Sequence, residues 1–542
     1  MSRLPLLGRN NLWPLLAGAV YALTFSPDPL PSAWLAWTQL IALALLAHWV
    51  FRAQSVAQAA LNGWLFGLST FIIGLYWLTI SMHVYGQMPL ALAVLALVLF
   101  AAYLALFGAL SSALARWLGA SEAKPSFGLI AGQSSIWAAA WTGGEWLRGT
   151  LFTGFPWLAT AYGQVDSWLA GWAVLVGPYG TTFVTAWIAA ALALNLAAQA
   201  GQAASTFTPK KGGALALAIL LTFGGAFLEQ SNFTQPHGDS ITTRLVQGNI
   251  DQGIKFDESK FTPAVMHHIE LAGHNPENQG AQSPKPALIV LPETVMTRFP
   301  QQVPDSLWRA WVELSEKQKA TLLLGTPLFD PKTRQYTNSV ISIDPSTDWR
   351  SLSSSQPKHR YDKQHLVPFG EFVPWGFRWF VDLMRIPLGD FTRGGSSQAS
   401  FVVGEQKVAA NICYEDVFGQ ELLPAIRQGA TILANFSNLG WFGDSWALRQ
   451  HWQMARLRAI ETQRPVIRAT NTGVTGGISE KGQAIAALPT AVAGYVDIQV
   501  QGRTGLTPYA RWGNYPPLLL VCCILLVGLI RRTRIAHVSQ HA

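Results

Sequence analysis

The chain has 542 residues, half of them hydrophobic and only 13% charged, with 23 tryptophans. That balance excludes an ordinary soluble enzyme and a disordered chain, and describes a membrane protein carrying a more polar domain. Three cysteines exclude a disulfide framework, and the net charge of +8 is scattered along the chain, with no dense basic patch of the kind that binds nucleic acid.

Apolar runs recur through the first 230 residues, and a helix needs roughly 20 such residues to cross a bilayer. Spans are predicted at 12–25, 34–51, 61–82, 90–118, 127–147, 168–198 and 213–228, with an eighth at 517–530. Pro14 interrupts the first, for which an uncleaved signal-like anchor is the alternative. Basic residues mark alternate connections: Arg3 and Arg9 before the first span, Arg52 after the second, Arg116 and Lys124 after the fourth, Lys210 and Lys211 before the seventh, and Arg531, Arg532 and Arg534 after the eighth. The positive-inside rule then puts both termini in the cytoplasm and the long segment between the seventh and eighth spans outside it. The expected domains are 1–228 with seven spans, 229–514 as an extracytoplasmic domain, and 515–542 as the last span and a short tail.

The connection after Arg148 is apolar and aromatic but broken by Gly149, Gly154 and Pro156. It reads as an interfacial element: either an aromatic belt or a lid in which Trp157 guides lipid chains. Glu145 just before it is a site hypothesis by its depth, with pairing to Arg148 as the bland alternative.

From residue 242 the pattern changes to short strands alternating with polar helices, the signature of an α/β domain. Strands are predicted at 243–249, 287–291, 320–325, 339–343, 408–413, 430–435, 466–470 and 494–500, and helices at 258–271, 305–318, 419–428 and 445–462. Three polar points punctuate the strand ends. One strand ends Leu291-Pro-Glu293-Thr, a loop carries Lys363 and Glu371 within Tyr361-Asp-Lys-Gln-His-Leu-Val-Pro-Phe-Gly-Glu, and another strand ends Cys413-Tyr414-Glu415. Taken singly, Cys413 reads as a core residue and Glu293 and Lys363 as surface charges. Together, a carboxylate, an ammonium and a thiol at converging strand ends make a nucleophile set: Glu293 as general base, Lys363 holding negative charge, Cys413 as nucleophile, and Glu371 orienting the others. His365 is expected to point away from Cys413. His267, His268 and His274 lack zinc-ligand spacing, so no metal and no cofactor are expected. Gly473-Val-Thr-Gly-Gly lacks a phosphate-loop pattern and reads as a turn.

These motifs resemble the Glu-Lys-Cys triad of the carbon–nitrogen hydrolase (nitrilase) superfamily. With eight spans, Gly248-Asn-Ile, Asn435-Phe-Ser-Asn and Thr153-Gly-Phe-Pro-Trp157, nearly the whole chain resembles the apolipoprotein N-acyltransferase family of Gram-negative bacteria. The resemblance implies a polytopic α-helical membrane protein carrying a nitrilase-like α-β-β-α sandwich on the periplasmic side of the inner membrane. It implies acyl transfer from a phospholipid, with phosphatidylethanolamine the expected donor, through a thioester on Cys413 to the α-amino group of a diacylglyceryl-modified apolipoprotein. Glu293, Lys363 and Cys413 match the family's triad, and Glu371, Tyr414 and Glu415 match positions needed for activity. Where the family usually has Trp after Gln-Gly-Asn-Ile, this chain has Phe256. Phe256 and Trp441, with aromatic runs at 152–157 and 375–380, are expected to shield the thioester from water. The alternatives are a membrane-tethered amidase of the same superfamily and a transporter or scaffold with an inert outer domain; a transporter would place polar residues inside several spans.

Overall fold

The computed structural model describes residues 12–25, 32–120, 126–200, 209–274, 285–374, 376, 378 and 390–541. The chain divides into two compact units, one comprising Met1–Thr79, Leu90–Ser231 and Trp512–Ala542, the other Ile80–Pro89 and Asn232–Arg511.

The first unit is helical. Its long helices are Leu12–Leu23, Ser32–Arg52, Val56–Gly74, Leu90–Gly119, Phe127–Arg148, Ala173–Ala200, Pro209–Gln230 and Tyr515–His541. Among the described residues six helices are long and apolar enough to cross a membrane. Leu12–Leu23 is short, and Phe127–Arg148 carries buried Ser134, Thr142, Glu145 and Arg148, which lower its apolarity. The third helix departs from the expected 61–82. It starts earlier, because Ser55 accepts a bond from the Gln58 N–H and caps it, and it ends at Gly74, after which the chain turns through Trp77. Small residues let it pack closely: a Cβ on Gly67 would lie 2.9 Å from Ala105 Cα.

The helix end at Arg148 organises the loop that follows. Glu145 Oε1 accepts the Thr160 N–H at 2.9 Å and the Thr160 hydroxyl at 2.7 Å, while Oε2 accepts from Thr182 at 2.9 Å. Arg148 donates to the carbonyls of Phe155 and Trp157 at 2.7 and 2.6 Å. Glu145 and Arg148 form no ion pair with each other, so the pairing raised as the bland alternative is replaced by two separate anchors for the loop.

The second unit is a four-layer sandwich. One sheet has the order β12-β1-β2-β3-β4-β5, with β1 Ile241–Gln247, β2 Leu288–Val290, β3 Thr321–Asp330, β4 Gln335–Ile343, β5 Arg360–Asp362 and β12 Gly494–Val500. The other runs β11-β10-β9-β8-β7-β6, with β6 Phe401–Val403, β7 Gln406–Ile412, β8 Ile432–Ser437, β9 Val466–Thr470, β10 Gly476–Ile478 and β11 Ala484–Ala487. Side-chain alternation separates three cores. Leu323, Val340, Val408, Ile432 and Ile467 fill the space between the sheets. Leu322 and Leu324 face outward under helices Phe261–Gly273 and Asp305–Gln318, where Trp308 and Trp311 are fully buried. On the other side Ala409, Leu433 and Val466 face outward under helices Gly419–Arg427 and Trp446–Thr462. The parallel pairs β1–β2–β3 and β7–β8–β9 bring their carboxyl ends, where the polar motifs lie, to the same edge of each sheet.

Candidate active site

Glu293 lies just past β2, at the end of Leu291-Pro-Glu, and is buried. Its Oε1 accepts from Asn338 Nδ2 at 2.7 Å and lies 3.5 Å from Lys363 Nζ; its Oε2 accepts the Asn438 N–H at 2.9 Å. Close passage of β3 sets this turn. A Cβ on Gly325 would lie 2.7 Å from Glu293 Cα and 2.6 Å from Thr294 N, and the Gly325 N–H donates to the Pro292 carbonyl at 3.2 Å.

Lys363 directly follows β5. Its ammonium is buried between two carboxylates, 2.9 Å from Glu371 Oε1 and 3.5 Å from Glu293. Asn338 ties the two acids together by also donating to Glu371 Oε1 at 2.8 Å, and Glu371 Oε2 accepts the Val367 N–H at 2.9 Å. Burial works against charge on Lys363, but Glu371, then Glu293 and Cys413, hold it above the ordinary lysine range.

Cys413 stands where β7 ends and keeps partial exposure. Its φ is +53°, the left-handed region that a side chain enters at a cost of about 1–3 kcal/mol, so the surroundings enforce this turn. Burial and then Glu293 push the thiol well above its usual range, while Lys363 pulls it down. The resting group is therefore a thiol, and a base must remove its proton for it to react.

Glu415 is fully buried and bolts the Lys363 loop to the Cys413 strand. It accepts the N–H groups of Gln364 at 2.6 Å, His365 at 3.0 Å and Ile412 at 2.5 Å, together with the Tyr361 hydroxyl at 2.9 Å. Burial pushes it up to about 7, against those backbone donors, which favour the carboxylate. Tyr414 is buried edge-on to His365 and Phe418. His365 is turned to Glu421, 2.8 Å away, and stacks on Phe418.

The predicted aromatic contacts separate. Phe256 and Trp441 are 55% and 37% exposed with ring centroids 6.2 Å apart, and Tyr85 meets Trp441 edge-on at 5.9 Å. Trp157, expected to meet lipid, is instead only 3% exposed, packed on Trp77 at 5.2 Å with its carbonyl held by Arg148; the exposed ring of that loop is Phe152. Apart from 376 and 378, the run expected at 375–380 lies outside the described residues. Among the described residues no group of His, Cys, Asp and Glu has the arrangement of a metal site.

Two family models match the chain: the apolipoprotein N-acyltransferase N-terminal domain over residues 17–191 and carbon-nitrogen hydrolase over 242–509. An apolipoprotein N-acyltransferase of Bordetella bronchiseptica is 47% identical over 532 residues, covering 96% of each chain. The chain belongs to the apolipoprotein N-acyltransferase family. Another member, from Ralstonia nicotianae, is 41% identical over 96% of this chain and 93% of its own. Among solved structures, Saccharomyces cerevisiae Nit3, of the nitrilase superfamily, is 18% identical and covers 50% of this chain and 92% of its own, with a TM-score of 0.35.

In this apolipoprotein N-acyltransferase family member, several polar side chains at the site escape the sequence motifs. Asn338 begins a strand run and looks like a flank. Asn438 ends the Asn435-Phe-Ser-Asn motif, but the motif does not show that its N–H reaches Glu293; its side chain is held by Gln252 at 2.9 Å and Asn471 at 3.1 Å. Lys255, buried beside Phe256, donates to the Glu293 carbonyl at 3.4 Å, and burial pulls its amine down to about 7 although Glu293 opposes this. A lysine adjoining an aromatic within a polar loop carries no sequence signal of burial.

Proposed function

We propose that the chain moves an acyl chain from a membrane phospholipid, with phosphatidylethanolamine as donor, to the α-amino group of the N-terminal S-diacylglyceryl cysteine of an apolipoprotein. In the first half-reaction the Cys413 sulfur attacks the ester carbonyl, and Glu293 takes the thiol proton and passes it to the departing lysophospholipid oxygen. Lys363 holds the negative charge that develops during attack, and a thioester remains on Cys413. In the second half-reaction the acceptor amine attacks the thioester carbonyl. Glu293 then moves a proton from the nitrogen to the leaving sulfur, giving amide and free thiol. Phe256 and Trp441 cover the thioester between the two steps, and Glu371, Tyr414 and Glu415 keep the reacting groups in place. No metal or cofactor is required.

The observation that carries this reading is the ammonium of Lys363, coupled to the Cys413 charge and set between Glu371 at 2.9 Å and Glu293 at 3.5 Å. The alternation of basic connections supports an inner-membrane chain with cytoplasmic termini and a periplasmic 229–514 domain between 1–228 and 515–542. An amidase acting on small soluble amides would leave the apolar helical unit without a role.

The test is the intact mass of the purified protein after incubation with phosphatidylethanolamine and no acceptor. A gain of one acyl chain, removed by hydroxylamine and absent in Cys413→Ser, is expected; release of free fatty acid with no modified protein would instead mark a hydrolase.

A further inference from the structure

On the face of the second sheet that is turned to helix Trp446–Thr462, two rows of side chains follow one another across β7, β8 and β9. The first row is apolar: Ala409, Leu433 and Val466 are register partners in the core beneath the helices. Two residues further along each strand the row becomes Asn411, Asn435 and Arg468, all buried. Asn435 Nδ2 donates to Asn411 Oδ1 at 2.6 Å and to the Cys413 carbonyl at 3.1 Å. Arg468 donates to Asp416 Oδ2 at 2.6 Å and to His451 Nδ1 at 2.8 Å. That ring nitrogen therefore carries no proton, and the opposite Nε2–H donates to Asp416 Oδ1 at 2.6 Å. Burial, with Arg468 beside it, holds His451 below the usual histidine range, in agreement with a neutral ring. Asp416 shares the short helical turn Cys413–Val417 with the nucleophile.

The proposed proton transfers involve none of these three groups. Stability does not explain them either, since a buried ion pair replaced by apolar side chains of similar volume is often neutral or stabilising. What sets them apart is that they hold the short turn that begins with Cys413, whose own backbone is left-handed.

We propose that Arg468, clamped by Asp416 and His451, is a positioning residue that holds the Cys413 turn and supplies the sulfur with a second fixed cation besides Lys363. The proposal rests on Cys413 being the nucleophile. Burial pulls Arg468 below its usual range, and Asp416, then charge on Cys413, oppose this; by reciprocity the guanidinium favours the thiolate. Asp416 acts with the opposite sign and, like Glu293 and Glu371, raises the thiol. Removing Arg468 or removing the charge of Asp416 must therefore move the thiol in opposite directions.

The experiment follows alkylation of the full-length protein in detergent by iodoacetamide between pH 7 and 10.5, read by intact mass. Cys522 and Cys523, both exposed, are replaced by Ser throughout so that Cys413 is the only thiol. Arg468→Met is expected to slow alkylation by about tenfold throughout this range, one unit of titration of a thiol that titrates above it. Arg468→Lys regains most of the rate, and Asp416→Asn alkylates faster than the reference at pH 8. Unchanged alkylation in Arg468→Met, no recovery in Arg468→Lys, or Asp416→Asn slowing as Arg468→Met does, would overturn the proposal and leave only packing of the turn. If Arg468→Met does not fold, Asp416→Asn decides by the sign of its change. A reference protein that takes no acyl chain from phospholipid yet shows this alkylation pattern would refute the proposed reaction and leave the role of Arg468 standing.

Discussion

In the helical unit Glu145 and Arg148 lie one turn apart on the same helix and do not pair; they are satisfied by neutral hydroxyl, amide and carbonyl groups of the loop that follows and by the Thr182 hydroxyl of helix Ala173–Ala200. In the α/β unit Glu293 comes from one strand end and Lys363 and Glu371 from the loop after another, and they face one another, beside a thiol in a strained backbone conformation. The sequence offers both sets as an acid and a base at candidate sites. Partners distinguish them. Charges satisfied by neutral dipoles serve as staples, whereas the Lys363 charge faces two carboxylates that hold it up.

The sharpest way to break this contrast is the same isosteric change in both places. Glu293→Gln is expected to lower the rate of thioester formation by about 10²–10⁴-fold, the usual share of a general base, with little change in unfolding temperature. Glu145→Gln is expected to do the reverse. It turns an amide donor toward hydroxyl and N–H donors, costs about 1–3 kcal/mol of stability, and leaves the rate per folded molecule near that of the wild type. Equal losses of rate in the two variants would erase the distinction.

Two aromatic rings extend it. Trp157→Ala, which empties a buried site, should destabilise the helical unit by about 3–5 kcal/mol, measured by thermal unfolding in detergent. Phe256→Ala removes an exposed ring, so unfolding should barely change while the thioester, once formed, hydrolyses faster. Unchanged thioester lifetime would remove Phe256 from the shield.

The smallest effect concerns Lys255. Its amine titrates at about 7 in the fold and at about 10.4 in an unfolded chain, so between those values the unfolded chain holds the extra proton and stability rises with pH. Below pH 7 the cost of the buried ammonium is fully present. Lys255→Met should therefore stabilise the protein more at pH 6.5 than at pH 9; an equal shift at both would show that Lys255 has the same charge in the folded and unfolded chain.

What could be read in advance was whatever sits in continuous sequence. Leu-Pro-Glu293, the Lys363–Glu371 loop and Cys413-Tyr-Glu415 each end a strand, and strand order alone brings such ends together. Arg468, His451 and Asp416 were not legible, because only the register of β8 against β9 and the packing of helix Trp446–Thr462 join them. Strands Phe401–Val403, Gly476–Ile478 and Ala484–Ala487 escaped for another reason: they are three or four residues long, and Gly and Ala lack the β-branched pattern that marks a strand. The burial of Trp157 was hidden by its composition, since an aromatic among glycines and prolines reads as interfacial whichever way its ring turns.

Gly325 has a genetic consequence. The strand beside Glu293 tolerates no Cβ at this position without displacing the Glu293 turn, so Gly325→Ala should lower activity while the chain stays at normal abundance. Because the defect is a misplaced carboxylate in an otherwise assembled protein, one wild-type copy should mask it, and second-site revertants should cluster in the Pro292–Met296 turn that the missing side chain now allows to lie so close.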